Sequence, residues 1–469
     1  MQYRDKVIMQ QELIFDIDII RRYDKAGPRY TSYPTAVQFH EKFDKAVYSE
    51  YATATNTLPL KPLSLYFHIP FCNTVCYYCA CNKIVTKDYS RAAPYLERLK
   101  KEIAMQAKLF NPERPVNQLH WGGGTPTFLS HDEMRDLMDC TREHFNLLDD
   151  DSGEYSIEID PREATPETIK LLRELGFNRL SLGVQDFDPI VQKAVNRIQS
   201  EAETFAVLDA ARENGFKSLS IDLIYGLPHQ SAESFLKTLD KVIEVAPDRL
   251  SVFNYAHLPT LFKPQRRIND DELPSAQEKL AILQQSAEHL RKAGYVYIGM
   301  DHFARPDDEL AIAQRNGTLY RNFQGYATHA DCDLIGMGVT SIGKVGDSYS
   351  QNVKTEAEYM ACIDAGELPV FRGVGLTEDD KIRRELITQL MCHFSLDIQK
   401  FEQQQNINFL EYFAEEWQAL STFKEDGLIE YDTQHIEILP VGRLLVRNIS
   451  MTFDYYLRQA KEQRFSKVI

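Results

Sequence analysis

Four cysteines lie within ten consecutive positions of the stretch "FHIPFCNTVCYYCACNK", which begins at Phe67. Three of them, Cys72, Cys76 and Cys79, have a C-x3-C-x2-C spacing, so one loop can present three thiolates to a single inorganic centre. Three thiolate ligands on a [4Fe-4S] cluster leave one iron open, and an open iron can bind a substrate or cofactor directly. The spacing therefore favours an iron–sulfur cluster with catalytic chemistry.

A zinc site is the alternative that the same thiols leave open. Structural zinc prefers four closed ligands, and Cys81 or His68 could supply the fourth. A zinc-stabilised structural protein would be colourless, and it would not explain the glycine and acidic residues described below. Disulfides are not expected, because thiols stay reduced in the cytoplasm.

The composition indicates a large globular protein of the cytoplasm. The 469 residues are 43% hydrophobic and 26% charged, as in an ordinary globular chain. No apolar run is long enough for a membrane span, and the charged N-terminal stretch does not resemble a signal peptide. Asp and Glu outnumber Lys and Arg by 69 to 53, for a net charge of -16, which argues against a nucleic-acid partner. We expect a cytoplasmic monomer.

Short β-rich runs alternate with helical stretches from about residue 63 onward. The runs are "LSLYFHI", "NQLHWGG", "EYSIEID", "RLSLGV", "SLSIDLIYG" and "RLSVFNYAH". This alternation predicts an α/β fold with a parallel sheet, here a partial (β/α)6 barrel. In such folds the carboxyl ends of the strands form one rim. The cysteines, the "GGGT" motif that ends at Thr125, Glu158, Gln185 and Asp222 all fall at those strand ends.

We expect three regions along the chain. Residues 1–60 lack the βα rhythm, and "GPRYTSYPTA" combines turn formers with aromatic residues, which predicts an ordered arm that acts as a lid. Residues 61–345 form the barrel. Residues 346–469 form a smaller, mainly helical C-terminal domain with a β-ribbon at "LIEYDTQHIEIL".

Long motifs in a fixed order carry a family resemblance. The stretch "LYFHIPFCNTVCYYCAC" resembles the cluster loop of radical S-adenosylmethionine (SAM) enzymes. Over nearly its full length the chain is identified as a member of the oxygen-independent coproporphyrinogen III oxidases, also called coproporphyrinogen III dehydrogenases. The motifs are "PRYTSYPTA", "HIPFC", "WGGGTPT", "SIEIDPRE", "LSLGVQDF", "SIDLIYGLP", "RLSVFNYAHLP", "GMDHFARPDDELA", "RNFQGY" and "GRLLVRNI". The radical SAM barrel that the family implies agrees with the predicted fold.

The resemblance implies roles for individual residues. It assigns the [4Fe-4S] ligands to Cys72, Cys76 and Cys79, and it places Cys81 near the site without a ligand role. It implies two SAM molecules. The first SAM would be held by Tyr66, Gly123, Glu158, Ala256 and Ile342. The second would contact Tyr78, Gly124, Thr125, Gln185, Arg197 and Asp222.

The resemblance also implies a reaction. Two propionate side chains of coproporphyrinogen III would be converted to vinyl groups by oxidative decarboxylation, giving protoporphyrinogen IX in haem biosynthesis. A 5'-deoxyadenosyl radical formed from SAM would start each decarboxylation. An electron donor such as flavodoxin or ferredoxin would be a partner. A haem chaperone without dehydrogenase activity is the alternative, but such chaperones typically lack the fourth cysteine and the "PRYTSYPT" motif that are present here.

The implied substrate carries four carboxylates, so an acidic protein must offer a locally basic pocket for it. Four arginines in or near the family motifs are the candidates: Arg29, Arg266, Arg267 and Arg321. His302 and Gln324 lie in family motifs without an assigned role.

Overall fold

The computed structural model describes residues 13–329 and 332–459, and their contacts group into two compact units. The sheet unit consists of Gln38–Pro274 and Asp331–Gly375, and the terminal unit consists of Met1–Val37, Ser275–Ala330 and Leu376–Ile469. Neither unit is continuous in sequence. The predicted division at residues 60 and 345 stays a prediction, and its first twelve and last ten residues lie outside the described part of the chain.

The first strand of the described residues begins at Leu63. In chain order they are β1 (Leu63–Ile69), β2 (Phe71–Cys72), β3 (Ile84–Val85), β4 (Pro115–Gly123), β5 (Asn146–Leu147), β6 (Glu154–Ile159), β7 (Arg179–Gln185), β8 (Ser218–Tyr225), β9 (Arg249–Asn254), β10 (Val296–Gly299), β11 (His302–Ala304), β12 (Tyr320–Asn322), β13 (Gly325–Ala327), β14 (Asp333–Met337), β15 (Ile342–Val345), β16 (Ser348–Asn352), β17 (Val370–Gly375), β18 (Ser395–Asp397), β19 (Ile429–Tyr431) and β20 (His435–Ile438).

Helices separate most of these strands. In chain order they are α1 (Ile17–Arg22), α2 (Lys45–Ala54), α3 (Ala92–Ala107), α4 (His131–His144), α5 (Pro166–Glu174), α6 (Pro189–Ala194), α7 (Glu201–Glu213), α8 (Ala232–Val245), α9 (Ala276–Lys292), α10 (Glu309–Asn316), α11 (Glu356–Asp364), α12 (Glu378–His393), α13 (Ile398–Gln405), α14 (Phe409–Tyr412), α15 (Ala414–Glu425), α16 (Val446–Met451) and α17 (Tyr455–Gln459).

The sheet unit is built on six parallel strands. They lie side by side in the order β9, β8, β7, β6, β4, β1, and each neighbouring pair is parallel. Helices α3, α4, α5, α7 and α8 connect successive strands, as parallel pairing requires. The predicted α/β class and (β/α)6 order are confirmed. In the described part of the chain the strands follow an open path and do not close into a full barrel.

The sequence forms these elements for local reasons. β1 is buried at every position except the half-buried Tyr66, as expected of a parallel strand covered on both faces. Helix α3 buries Tyr95, Leu99 and Ile103 at spacings of four, which gives it one apolar face. Helix α4 starts with a capping box, in which Ser130 and Glu133 satisfy each other's backbone N–H groups.

The sheet continues past β1 in a way that the sequence did not predict. β14 pairs parallel with β1, from Leu63 opposite Asp333 to Phe67 opposite Met337. β15, β16 and β17 then follow as antiparallel neighbours. A buried ion pair between Arg114 and Asp333, at 2.5 Å, holds the start of β14.

The terminal unit contains the part of the N-terminal arm that ends at Val37, together with the C-terminal helices. Tyr30 donates a hydrogen bond to Asp454 at 2.9 Å, and the Tyr455 amide donates to the Tyr33 hydroxyl at 3.0 Å. Both arm tyrosines are buried. The predicted β-ribbon is present as the antiparallel pair β19 and β20, and β18 adds a third strand. Among the described helices, none has the length and apolar character that a membrane crossing demands.

Candidate active site

A loop between β2 and β3 carries the clustered cysteines. β2 and β3 pair in parallel, Phe71 opposite Ile84 and Cys72 opposite Val85, so the two ends of the loop lie together. The Thr125 amide donates to the Phe71 carbonyl at 2.8 Å, which fixes the loop against the end of β4. The chain after β1 is thereby held beside the rim that the parallel strands form.

A cavity of about 230 Å³ opens at this rim. Its walls include all the predicted cluster and SAM residues except Tyr66, Ala256 and Ile342. The predicted residues in its lining are Cys72, Cys76, Tyr78, Cys79, Gly123, Gly124, Thr125, Glu158, Gln185, Arg197 and Asp222. The structure therefore brings together residues from five different strand ends.

The three other predicted residues lie near the same rim. The Tyr66 hydroxyl is 3.1 Å from His68 Nδ1. In the pairing of β1 with β14, Tyr66 lies opposite Gly336. A Cβ on Gly336 would lie 2.6 Å from the Ile342 carbonyl oxygen, so β15 crosses close to that position. Ala256 is exposed, and its carbonyl accepts a hydrogen bond from Gln265 at 3.2 Å.

The thiols differ in how readily they ionise. A hydrogen bond from the Cys81 thiol, with help from Lys83, lowers the pKa of Cys79 to about 6. Burial raises the pKa of Cys72 to about 11, although the Thr125 hydroxyl lies within hydrogen-bond range of its sulfur at 3.6 Å. A metal must therefore displace the Cys72 proton, whereas Cys79 offers a thiolate at neutral pH.

Cys76 receives N–H groups from two arginines. Arg197 Nη1 lies 3.6 Å and Arg162 Nη2 3.7 Å from its sulfur. Asp160 holds both guanidinium groups, at 3.0 Å from Arg197 Nη1 and 2.7 Å from Arg162 Nη2. The N–H groups would compensate the negative charge of a thiolate-bound cluster. Arg162 was not predicted as a site residue, although its place two positions after an acid at a strand end is the pattern that could have found it.

Glu158 is an ionised acceptor at the rim. It accepts the Gly123 amide at 3.0 Å and lies 3.6 Å from His120 Nε2. Burial raises its pKa, but the contacts with His120 and Gly123 outweigh burial and leave the pKa below its usual value. A carboxylate at this position can accept hydrogen bonds from an ammonium group.

Gln185 and Asp222 line the cavity from two neighbouring strands. Gln185 has a left-handed backbone with φ of +70°, and its buried Oε1 has no hydrogen-bond partner among the described residues. Burial raises the pKa of Asp222 to about 6, and Ser181 donates to it at 3.1 Å. A strained residue with an unpaired buried acceptor is a common feature of a ligand site.

The glycine motif serves packing more than ligand approach. A Cβ on Gly124 would lie 2.6 Å from the Pro70 carbonyl oxygen and 2.7 Å from that of Phe71. A Cβ on Gly123, whose φ is +119°, would lie 2.7 Å from the His68 ring. The Gly123 amide donates to Glu158 at 3.0 Å, so this donor is already used within the protein.

The donor set fits an iron–sulfur cluster. Three thiols line one cavity together with arginine N–H groups that point at sulfur. Within residues 13–329 and 332–459, no three His, Cys, Asp or Glu side chains come close enough to hold a single metal ion. A cluster is larger than an ion, and its thiolate ligands are correspondingly further apart.

The predicted substrate arginines divide between the units. In the sheet unit, Arg266 is exposed and donates to the Pro259 carbonyl, and Arg267 lies over the Tyr77 ring at 5.2 Å. In the terminal unit, Arg29 pairs with Asp301 at 2.7 Å. Arg321 is buried, and neither its Nε nor its Nη1 has a hydrogen-bond partner among the described residues.

Comparisons with known proteins give consistent matches. A radical SAM superfamily model matches residues 66–242, and a HemN C-terminal domain model matches residues 376–445. The chain is 57% identical over 464 residues to an oxygen-independent coproporphyrinogen III oxidase of Pseudomonas aeruginosa, covering 98% of this chain and 100% of that protein. The Escherichia coli oxidase of the same name is 52% identical over 460 residues, covering 98% and 99%.

A solved structure matches closely as well. It is described as coproporphyrinogen III oxidase (HemN) from Escherichia coli, a radical SAM enzyme. The match has a TM-score of 0.91 at 51% identity and covers 95% of this chain and 100% of that one. The similarity therefore covers nearly the whole chain, both in sequence and in backbone structure.

Proposed function

Because the chain belongs to the family of oxygen-independent coproporphyrinogen III oxidases, which are radical SAM enzymes, we propose that it converts coproporphyrinogen III to protoporphyrinogen IX. The reaction is the oxidative decarboxylation of two propionate side chains to vinyl groups, a step of porphyrin biosynthesis. The observation that carries the proposal is the cavity in which three thiols, Glu158 and Gln185 meet.

The radical SAM domain implies a [4Fe-4S] cluster and SAM. We propose that Cys72, Cys76 and Cys79 hold the cluster and leave one iron open. The low pKa of Cys79 supports its role as a ligand, because it favours the thiolate form. The arginine N–H groups directed at the Cys76 sulfur would compensate the charge of a cluster bound there. Cys81 acts in this proposal as a hydrogen-bond donor to Cys79, not as a ligand.

Two SAM molecules are proposed at the rim. Glu158 would accept hydrogen bonds from the first, beside Tyr66 and Gly123, with Ala256 and Ile342 at its edge. The unpaired Gln185 Oε1 and the Asp222 carboxyl support the second, with Tyr78, Gly124 and Thr125. Arg197 is already bonded to Asp160 and to the Gly183 carbonyl, so a contact with SAM would have to use its buried, unpaired Nε or share an existing donor.

The protein's part in the chemistry is binding, orientation and exclusion of water. When bound, the cluster and SAM supply the electron and the 5'-deoxyadenosyl radical that removes a hydrogen from the propionate β-carbon. The pKa of Glu158 lies below its usual value, so this carboxylate only accepts hydrogen bonds, whereas the raised pKa of Asp222, about 6, lets that carboxyl donate as well as accept near pH 6. This versatility suits a ribose hydroxyl.

Arg321 is the strongest candidate for a substrate carboxylate. Its buried Nε and Nη1 lack acceptors among the described residues, and a buried guanidinium donor without an acceptor is costly unless a ligand satisfies it. Burial lowers the pKa of Arg447, and the positive charges of Arg29 and Arg321 lower it further, to about 10. Asp301 is paired with Arg29. The neighbourhood of Arg321 therefore carries more positive than negative charge, which favours an anion.

The haem chaperone is the alternative that the chain's features do not favour. Both Cys81 and the "PRYTSYPT" motif are present, and the curated relatives carry the oxidase name. The lid role of residues 1–60 stays a prediction. The cytoplasmic location, the monomeric state and the identity of the electron donor, flavodoxin or ferredoxin, stay predictions as well.

The proposal is tested by an anaerobic assay of the protein reconstituted with iron and sulfide. With dithionite, SAM and coproporphyrinogen III, we expect 5'-deoxyadenosine and protoporphyrinogen IX together. Cys76→Ala should lose bound iron and both products, whereas Cys362→Ala, a half-buried cysteine outside the cavity, should keep them. Deoxyadenosine without a vinyl product would show that the protein cleaves SAM but acts on a different substrate. A protein with a full cluster that makes neither product would contradict the proposal.

A further inference from the structure

A second cavity in the sheet unit has a different character from the first. It has a volume of about 740 Å³ and is lined by Phe39, His40, Glu41, Lys42, Lys354, Phe371 and Arg372, which together we call the basic groove. The groove offers three permanent cations, Lys42, Lys354 and Arg372, against the single carboxylate of Glu41. Two aromatic rings lie among these charges.

Lys354 and Arg372 of the basic groove contact neutral groups of the protein. None of the three forms an ion pair with a described residue, although most of the other arginines and many lysines do. Arg372 donates to Gln351 and lies 5.8 Å from the Phe39 ring, and the Lys354 ammonium lies 5.8 Å from the Phe371 ring. The whole chain has a net charge of -16, so an unpaired basic surface stands out electrostatically.

The groove adjoins the cysteine loop directly. The Asn82 side chain, one residue past Cys81, donates to the Lys354 carbonyl at 3.0 Å. The Asn82 carbonyl in turn lies 3.0 Å from His68 Nε2, and the ammonium of Lys83 donates to the Cys79 carbonyl at 3.2 Å. Cys81 and Asn82 are exposed. Asn82 therefore leaves this end of the cysteine loop accessible next to the groove, whereas Cys81 lines the site cavity.

The wall of the groove is held in place before any partner arrives. His40 and Gly373 exchange two backbone hydrogen bonds, at 2.9 Å and 3.2 Å, which attach the chain at His40 to β17. Phe39 is buried and stacks on Tyr349 with ring centroids 6.0 Å apart. A preformed surface loses little conformational entropy on binding.

We propose that the basic groove is the docking surface for an acidic protein that carries single electrons. The inference rests on the proposed function, because that chemistry requires electrons from outside the chain. Each encounter oxidises the reduced carrier by one electron and reduces the iron–sulfur site by one. Complementary charge steers such encounters, and aromatic and arginine side chains are enriched at the centres of protein interfaces. An acidic carrier would otherwise be repelled by this acidic protein.

The test measures how fast a chemically reduced flavodoxin, used as the probe, reduces the reconstituted protein in an anaerobic stopped-flow instrument. The variants are Lys42→Glu, Lys354→Glu and Arg372→Glu, and Lys108→Glu is the matched control, an exposed lysine at the end of α3 outside the groove. At low ionic strength we expect each groove variant to lower the second-order rate by about tenfold or more, as for steered association. Added salt should slow the wild type and have less effect on the variants.

Dithionite separates docking from cluster damage, because this small reductant does not need a protein interface. We expect dithionite to reduce all four variants at the wild-type rate and to full extent. If Lys354→Glu lost iron, Lys42→Glu would decide the matter, since no bond between its side chain and the cysteine loop is seen in the described residues. Wild-type rates with flavodoxin in all three groove variants would overturn the proposal, as would an equal loss of rate in Lys108→Glu.

The same experiment distinguishes this proposal from the proposed function. Protoporphyrinogen formation driven by dithionite tests the function without any carrier. Failure of that assay, with charge-dependent reduction by flavodoxin intact, would reject the proposed substrate and keep the docking surface. The opposite pattern would keep the function and place the docking surface elsewhere on the protein.

Discussion

At the residue scale, the centre of the site is the sulfur of Cys76. Two guanidinium groups share Asp160 and both direct an N–H at this sulfur. Hydrogen bonds to cluster sulfurs stabilise the more negative, reduced state and so raise the reduction potential. Arg162 contributes one of these bonds from the cavity wall, and we expect it to act on the cluster through the Cys76 sulfur. Its removal leaves Asp160 paired with Arg197.

We therefore expect Arg162→Gln to lower the cluster's reduction potential. A shift on the order of 59 mV, which is tenfold in a one-electron equilibrium constant, is the expected size. An anaerobic redox titration followed by electron paramagnetic resonance measures it, with Arg135→Gln, an exposed arginine on α4, as the control. An unchanged potential with full iron content would show that the Arg162 N–H groups do not act on the cluster.

The raised pKa of Asp222 predicts a pH dependence of stability. Burial raises this pKa from 3.8 to about 6, so the folded protein prefers the protonated form. The stabilising effect of that proton is complete below pH 3.8 and is lost as the pH rises through 6. Asp222→Asn should match the wild type in thermal unfolding at the acidic end and exceed it above pH 6, without SAM. A difference independent of pH would contradict the assignment.

Arg321 should matter for substrate binding and not for the cluster. We expect Arg321→Gln to raise the KM for coproporphyrinogen III by about tenfold or more, because a lost charge-assisted hydrogen bond costs about 1.5–3 kcal/mol. Arg315→Gln is the matched control, since Arg315 is exposed and its Nη1 is bonded to the Pro306 carbonyl. Iron content and SAM cleavage without substrate should stay at the wild-type level in both. An unaltered KM in Arg321→Gln would remove this residue from the substrate site.

At the element scale, close backbone packing positions the cysteine loop on the end of β4. The Gly124 Cα faces the carbonyls of Pro70 and Phe71, so there is no room for a side chain. The Gly124 amide also donates to the Ile69 carbonyl at 2.8 Å. The loop that presents Cys72 is thus seated on the glycine turn that follows the neighbouring strand.

Gly124→Ala should push this loop away and reduce the iron bound after reconstitution. Overpacking of this kind costs about 1–3 kcal/mol, which thermal unfolding would detect. Gly215→Ala is the control, because its φ is +74° but nothing lies within 4 Å of the added Cβ. It should lose some stability through backbone strain and still bind iron normally. Equal iron content in both variants would show that the close contact does not position the loop.

The alternation of strands and helices made the parallel sheet predictable, because each run such as "LSLYFHI" is apolar and each connection has a helical period. The strands β14 to β17 were not predicted, since each has only four to six residues and their pairing joins segments far apart in sequence. "YVYIGMDHF" forms the hairpin of β10 and β11, where Met300 has a φ of +52°. Side-chain contacts such as Arg162 with Cys76 depend on tertiary structure, which local patterns do not encode.

At the scale of the whole molecule, charge is distributed unevenly. The chain is acidic, yet it keeps unpaired cations in the basic groove and buried, partly unsatisfied arginine donors at Arg321. Both places would attract anionic species that the overall field repels. The cysteine loop lies beside the first of them. The net negative charge repels anions from the rest of the protein.

In the reaction that we propose, a hydrogen is removed from a propionate β-carbon in the cavity formed by the cysteine loop and the rim. The most direct test supplies coproporphyrinogen III deuterated at the propionate β-carbons and measures the mass of the 5'-deoxyadenosine formed. We expect deuterium in the deoxyadenosine that accompanies each vinyl group. Vinyl product with unlabelled deoxyadenosine would contradict it, because the hydrogen would then have been taken from another atom.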